Sequence, residues 1–235
     1  MQSTYQTGSA RGKNPVACSP TPALLSQLIQ IPAGQAVIEG LLALPVEPIG
    51  LVLFAHGSGS SRHSPRNNFV ANVLHEKGMG TLLMDLLTPV EDQNYGVRFD
   101  IDLLTQRLLL ATKWAQDNTA THHLPIGYFG ASTGAAAALR AAAALGDKAK
   151  AVVSRGGRPD LAGHLGLVSV KAPTLLLVGG HDTDVLKLNQ AAYTLLPCTK
   201  KLSIVPGATH LFEEAGTLEQ MSSQAATWFS HYLAD

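Results

Sequence analysis

Polar residues that could do chemistry together follow four apolar runs at widely separated places in the chain: His56, Ser132, Asp182 and His210. Serine is a poor nucleophile at its own pKa, so it needs a base to take its proton and a third group to orient that base. Ser132, Asp182 and His210 supply these three roles in the chain order Ser, Asp, His. Asp184 is an alternative acid, ranked second because Asp182 comes sooner after its strand. The set predicts nucleophilic catalysis at a carbonyl carbon.

The residues around the serine read Gly130-Ala131-Ser132-Thr133-Gly134, between an apolar run and an alanine-rich run. Strand, sharp turn and helix in that order are what a nucleophile elbow needs. Gly130 and Gly134 remove the Cβ atoms that would collide on either side of the turn. The pattern alone also fits a simple strand-to-helix turn, so it predicts function only together with the other motifs.

A tetrahedral intermediate needs donors for its oxyanion. The Thr133 N–H, next to the nucleophile, is predicted to be one. The second is expected from the glycine-rich loop that begins at His56, with the Ser58 N–H preferred and Gly59 as the alternative. A phosphate-cradling loop is not supported, because no Gly-Lys-Ser/Thr follows.

Apolar patterning predicts strands alternating with helices. Strands are expected at residues 27–32, 36–44, 49–55, 81–86, 126–130, 149–154, 174–178 and 202–205, and helices at 67–77, 100–117, 135–145, 185–196 and 218–232. The first two strands should form an antiparallel hairpin. The alternation predicts an α/β fold with a mostly parallel central sheet of about seven or eight strands and helices on both faces. The carboxyl ends of those strands, and hence the four polar residues, should meet at one edge.

Composition narrows the classes of function. Lysine plus arginine equals aspartate plus glutamate, so no basic surface for nucleic acid is expected. Apolar runs are too short to span a membrane, and the polar residues 1–20 lack the apolar core of a secretory signal. Residues 1–22 are predicted to be a flexible tail and 23–235 a single domain. Two cysteines, Cys18 and Cys198, favour a reducing, cytoplasmic setting. No metal-ligand spacing is present, so neither metal nor cofactor is expected.

The chain resembles the α/β-hydrolase superfamily over nearly all of residues 27–233, and within it the dienelactone hydrolase-related group. The motifs that carry the resemblance are His56-Gly57-Ser58-Gly59-Ser60-Ser61, Gly130-Ala131-Ser132-Thr133-Gly134, Gly180-His181-Asp182-Thr183-Asp184-Val185 and Gly207-Ala208-Thr209-His210. Dienelactone hydrolases have a cysteine nucleophile where this chain has Ser132. They also have an arginine for the substrate carboxylate shortly after the histidine, where Glu213 and Glu214 stand here. The resemblance implies an α/β-hydrolase fold, and the two departures favour an ordinary carboxylic ester as substrate. The short stretch between Ser154 and Thr174 leaves no room for a large cap.

Arginines and aromatic side chains in the predicted loops are candidates for substrate contacts. Arg62 and Arg155 are preferred for a substrate carboxylate, and Tyr95 is predicted to line the pocket. Arg66 and Arg158 are weaker candidates for the carboxylate, and Phe99 is the alternative to Tyr95 for the pocket. The alternative for each arginine is a loop residue paired with a local acid.

The sequence thus predicts a serine hydrolase that cleaves a small-molecule ester or lactone through an acyl-enzyme. The same residues could serve a thioesterase or an acyltransferase. A protein that binds a ligand in this fold without turnover is the alternative from another class. The resemblance also allows a homodimer, although the sequence selects no interface.

Overall fold

The computed structural model describes residues 24–234. The predicted tail, residues 1–22, and Cys18 lie outside the described residues. The strands are β1 (Leu24–Ala33), β2 (Ala36–Pro45), β3 (Leu51–Ala55), β4 (Gly80–Met84), β5 (Ile126–Ala131), β6 (Ala149–Arg155), β7 (Thr174–Gly179) and β8 (Lys200–Val205). The helices are α1 (Pro65–Glu76), α2 (Ile101–Asp117), α3 (Thr133–Leu145), α4 (Gly163–Val168), α5 (Thr183–Leu195) and α6 (Thr217–Leu233).

These strands form one eight-stranded sheet in the order β1-β2-β4-β3-β5-β6-β7-β8. The hairpin of β1 and β2 is antiparallel, and β2 also pairs antiparallel with β4. All pairs from β4 to β8 are parallel. The predicted mostly parallel sheet of seven or eight strands is therefore confirmed.

The central strands are apolar because both of their faces are covered by helices. β3, β4, β5 and β7 are buried at every residue. One face packs on α1 and α6, with Leu74 and Phe229 in its core, and the other packs on α2 and α3. The predicted placement of helices on both faces is confirmed.

The segment between β6 and β7 holds a one-turn helix (Pro159–Ala162) and the short α4, which the sequence did not predict. It is too short to form a separate covering domain. The expected absence of a large cap agrees with this fold, and the edge formed by the carboxyl ends of the strands is roofed by loops.

Candidate active site

Ser132 lies in a strained turn between β5 and α3, with φ 50° and ψ −121°. A non-glycine residue with positive φ costs about 1–3 kcal/mol, and such strain clusters at functional sites. The flanking glycines make the turn sterically possible. A Cβ on Gly130 would lie 2.5 Å from Ala135 Cα, and one on Gly134 would lie 2.1 Å from the Ala55 carbonyl oxygen. The geometry is that of a nucleophile elbow.

Backbone hydrogen bonds hold the elbow on both sides. The Ser132 N–H donates to the Arg155 carbonyl at 3.2 Å. The Ser132 carbonyl accepts the N–H groups of Arg158 at 3.0 Å and of Ala135 at 3.1 Å. The end of β6 and the loop after it therefore fix the position of the serine.

Asp182 and His210 form the second part of the site. His210 Nδ1 lies 2.6 Å from Asp182 Oδ2, with the carboxylate side chain 14% exposed and the imidazole 37% exposed. This bond leaves Nε2 as the ring nitrogen that can exchange a proton with a substrate. Asp184 instead lies in the first turn of α5 and pairs with Lys187 at 3.3 Å. Of the two acids considered, Asp182 is the one in contact with the histidine.

Gly156 joins the two parts of the site. It follows Arg155, whose carbonyl holds Ser132, and a Cβ on Gly156 would lie 3.4 Å from both Cε1 and Nδ1 of the His210 ring. The serine and the histidine are thus both packed on the end of β6. Among residues 24–234 no hydrogen bond joins Ser132 Oγ to His210, so the proton-transfer contact between them belongs to the proposal below.

A glutamate that the sequence analysis noted only as a departure from the family pattern shapes the histidine loop. Glu214 accepts the Thr209 N–H at 3.0 Å and the Thr209 hydroxyl at 2.6 Å. These hydrogen bonds from Thr209 hold the pKa of the Glu214 carboxyl below its usual value. Phe212, in the same loop, has φ 56° and is 2% exposed. The loop that carries His210 is closed on itself next to the imidazole.

The two predicted oxyanion residues contact each other. The Ser58 N–H donates to Thr133 Oγ1 at 3.0 Å. The loop also lies directly over Ser132, because a Cβ on Gly57 would be 2.9 Å from Ser132 Cβ and 3.7 Å from its Oγ. The Ser58 N–H is thus already bonded, and the role of Ser58 and Thr133 as oxyanion donors stays a prediction.

His56 fixes this loop to the neighbouring strand end. Its Nε2 accepts the Leu86 N–H at 3.0 Å, so Nδ1 carries the proton that is donated to the Gly57 carbonyl at 2.9 Å. Burial lowers the pKa of His56, opposed by the hydrogen bond to Gly57 and by the charges of Asp85 and Asp92. His56 is therefore a neutral structural link at the site.

The candidate substrate arginines occupy different surroundings. Arg62 forms ion pairs with Asp85 and with Glu39, the latter at 2.5 Å. Because two carboxylates already take its guanidinium, Arg62 fits the alternative of local pairing.

Arg155 was expected in a loop, but it is the last residue of β6 and is only 5% exposed. Its Nη2 lies 3.3 Å from Asn67 Oδ1, and its guanidinium lies 6.0 Å from the centre of the Phe212 ring. Burial is the main cause that lowers the pKa of Arg155 to about 10, and the charge of Arg66 adds to it. Arg155 supports the loop after His210 and does not face open solvent.

The aromatic candidate also differs from expectation. Tyr95 is 70% exposed and packs on Phe99, with the ring centres 5.1 Å apart. The cavity beside the oxyanion loop is narrow, about 10 Å³, and its wall includes Asp92 and Arg98 from the loop after β4. Arg98 is held by the Asp92 carboxylate at 2.9 Å. Side-chain directions within an irregular loop cannot be read from spacing, and no sequence signal distinguished Arg98 from Tyr95.

No cluster of three or more His, Cys, Asp or Glu side chains suited to a metal occurs within the described part of the chain. None of the helices found between residues 24 and 234 has the length and apolar character to cross a membrane.

Solved structures with this fold include hydrolases. A dienelactone hydrolase from Anabaena variabilis has a TM-score of 0.86 and 50% sequence identity, over 89% of this chain and 98% of that chain. Est1E from Butyrivibrio proteoclasticus shares the fold with a TM-score of 0.76 at 17% identity, over 88% of this chain and 99% of that chain. No protein-family model matches the sequence.

The sheet order, the elbow and these neighbours define an α/β-hydrolase fold. The chain belongs to the dienelactone hydrolase-related group of that superfamily, because it is 50% identical to a member over an alignment that covers 89% of this chain and 98% of that member.

A curated relative is longer than this chain. A protein of Mycobacterium tuberculosis, provisionally named a phosphoribosyl transferase, is 56% identical over 212 residues, which are 90% of this chain and 48% of that protein. The chain spans about half the length of the curated relatives it matches.

Proposed function

We propose that this chain is a serine hydrolase that cleaves a small carboxylic ester or lactone through an acyl-enzyme. The observation that carries the proposal is the 2.6 Å bond between His210 Nδ1 and Asp182 Oδ2, next to a serine held at φ 50°. An oriented imidazole beside an elbow serine is the arrangement that activates a hydroxyl. A protein that only binds a ligand would gain nothing from the strain of the elbow.

The reaction begins when Ser132 Oγ attacks the carbonyl carbon and passes its proton to His210 Nε2. The π electrons of the carbonyl move to its oxygen, which becomes the oxyanion. When that oxyanion collapses, the bond to the leaving alcohol breaks and the alcohol takes the proton from His210. Water then repeats the sequence on the acyl-enzyme and releases the acid. Asp182 holds the tautomer of His210 and stabilises the imidazolium.

The size of the site favours small substrates. The cavity of about 10 Å³ at Thr133 holds roughly one water molecule. A second cavity of about 110 Å³ shares the residues His56, Leu87 and Asp92 with it and continues toward Ser60 and Ser61. We propose short acyl groups and a compact, polar leaving group.

The name of the curated relatives points to another reaction, phosphoribosyl transfer. It describes proteins of which this chain matches 48%. Because residues 24–234 form a hydrolase fold with a serine elbow, we propose that any phosphoribosyl transfer belongs to the part of those relatives that this chain does not match. The present chain should then neither consume phosphoribosyl pyrophosphate nor be inhibited by it.

Two further expectations about the protein remain proposals. We propose a cytoplasmic setting, which is supported by Cys198, a free thiol that forms no disulfide among the described residues. We also propose a homodimer as its assembly. Light scattering of the purified 24.7 kDa chain would support the dimer by giving twice this mass and reject it by giving the mass once.

Hydrolysis of 4-nitrophenyl acetate by the wild-type protein and by Ser132→Ala tests the activity. Loss of a triad nucleophile lowers kcat by about 10⁴–10⁶. Intact mass after treatment with a fluorophosphonate should show one adduct on the wild type and none on Ser132→Ala. Equal rates for the two proteins, with no adduct on either, would exclude the serine hydrolase.

A further inference from the structure

The Ser58 N–H does not point freely into the site. It donates to Thr133 Oγ1 at 3.0 Å, a normal length for this kind of hydrogen bond. The loop that carries it is fixed, because the Gly57 carbonyl accepts both the Ser60 N–H at 3.2 Å and His56 Nδ1 at 2.9 Å. The Ser58 N–H is therefore held on the Thr133 hydroxyl.

The Thr133 hydroxyl has a hydrogen that no described residue accepts. A hydroxyl can accept and donate at the same time, and here the accepting side is used by the Ser58 N–H. Thr133 is the first residue of α3, so no helical carbonyl lies one turn before it to take the hydrogen. The residue is 2% exposed, which keeps this hydroxyl away from bulk water.

The Thr133 side chain lines a narrow cavity beside Ser132. Thr133 follows the nucleophile and shares the wall of the narrow cavity with Gly57, Ser58 and Gly59. A Cβ on Gly57 would lie 2.9 Å from Ser132 Cβ, so the loop that forms part of this wall packs directly against the serine. Thr133 and the loop packed on Ser132 therefore line the same cavity.

We propose that the Thr133 hydroxyl is a donor to the oxyanion, polarised by the Ser58 N–H behind it. The oxyanion is then held by two groups of one residue, the N–H and the O–H of Thr133. Ser58 acts through the hydroxyl, since hydrogen bonds in a chain strengthen one another. This assignment depends on the hydrolase activity proposed above, and it replaces direct donation from Ser58.

The test compares Thr133→Val, which keeps the side-chain shape but removes the hydroxyl, with Thr133→Ser, which keeps the hydroxyl. Loss of one oxyanion donor costs about 10²–10³ in kcat. Thr133→Val should show that loss for 4-nitrophenyl acetate with KM changed little, while Thr133→Ser stays close to the wild type. Thr105→Val is the matched control, because Thr105 is also a buried helical threonine but bonds the Ile101 carbonyl in α2.

Binding of a trifluoromethyl ketone measures how well the protein stabilises an oxyanion, without any turnover. This compound adds to Ser132 and forms a tetrahedral oxyanion, so its inhibition constant should rise with Thr133→Val by the factor that kcat falls. If Thr133→Val keeps kcat within threefold of the wild type, or is faster, the hydroxyl is not a donor. A similar loss in Thr133→Ser also contradicts the assignment.

The ketone also distinguishes failure of the proposed function from failure of this inference. If the wild type hydrolyses no ester but binds the ketone, and Thr133→Val does not bind it, the role of the Thr133 hydroxyl is supported and the esterase activity is rejected. A wild type that neither hydrolyses esters nor binds the ketone overturns both. If Thr133→Val has a lower free energy of unfolding than the wild type, Thr133→Ala, which also lacks the hydroxyl, is measured in the same assays and judged in the same way.

Discussion

Asp182 and Asp184 stand two residues apart at the start of α5, but only Asp182 reaches the imidazole of His210. Asp182 is the residue before the helix, where its side chain turns back toward the histidine loop. Asp184 is 91% exposed at its side chain and pairs with Lys187. Both side chains are carboxylates with the same chemistry. At the scale of single residues, the distance to the His210 imidazole is therefore what distinguishes them.

Asp182→Asn should leave the fold intact and lower kcat by about 10⁴, because an amide allows the wrong tautomer of the imidazole. The matched control is Asp184→Asn, which removes an exposed ion pair of about 0–1 kcal/mol and should keep full activity. Steady-state rates on 4-nitrophenyl acetate decide the question. Equal losses in the two variants would mean that the acid has been misassigned.

The elbow depends on close approach of two backbones. A Cβ on Gly134 would lie 2.1 Å from the Ala55 carbonyl oxygen of β3 and 2.5 Å from that of His56. Backbone cannot move aside as a flexible side chain can, so α3 would have to shift away from β3. That shift would displace Thr133 and Ser132 together.

Gly134→Ala should therefore lower the free energy of unfolding by about 3 kcal/mol or more, with loss of activity in the protein that still folds. Gly96→Ala is the control, because Gly96 has an ordinary φ and its nearest neighbour to a Cβ is the Asn94 side chain at 3.4 Å. Urea unfolding followed by tryptophan fluorescence measures the free energy of unfolding of both variants. A Gly134→Ala protein as stable and as active as the wild type is incompatible with this packing of α3 on β3.

The histidine loop offers a pair of adjacent acids with different contacts. Glu214 accepts two hydrogen bonds from Thr209, the residue before His210, whereas Glu213 pairs with Arg66 at 3.0 Å on the surface. Removing Glu214 removes the two hydrogen bonds that hold the loop beside His210. Removing Glu213 breaks only an exposed ion pair.

Glu214→Ala should lower kcat on the order of tenfold to 100-fold with little change in KM, because small misplacements of a catalytic group have effects of this size. Glu213→Ala should change kcat by less than the scatter between preparations. Both variants are measured on the same ester in parallel. Equal kcat values for the two variants would show that the Thr209 contacts do not position His210.

At the scale of the whole molecule, features that depend on strand order could be predicted from the sequence. Contacts that depend on the direction of a side chain could not. Strand ends collect at one edge of a parallel sheet, so Ser132, Asp182 and His210 could be grouped from spacing alone. The burial of Arg155 depends on which face of β6 its side chain takes and on α1 covering it. The bond from Ser58 to Thr133 joins residues 75 positions apart, and no pattern in either segment specifies it.

The stability of the whole protein should depend on pH through the buried His56 and the half-buried His75. Burial lowers the folded-state pKa of His56 and of His75 below the ordinary 6.5. Below pH 6.5 these two histidines bind protons in the unfolded chain but stay neutral in the folded protein. The free energy of unfolding should therefore fall as the pH falls. Above pH 6.5 both states are neutral at these residues, and their contribution is fully present.

His56→Gln isolates the contribution of His56 to this effect. The variant should be less stable than the wild type at pH 8, because the bonds to Leu86 and Gly57 are disturbed. Its stability should nevertheless fall less steeply between pH 6.5 and pH 5, since glutamine does not titrate. Urea unfolding across that range gives the slope, and His75→Gln in the same series removes the second contribution. Slopes that match the wild type in both variants would place the acid sensitivity elsewhere in the fold.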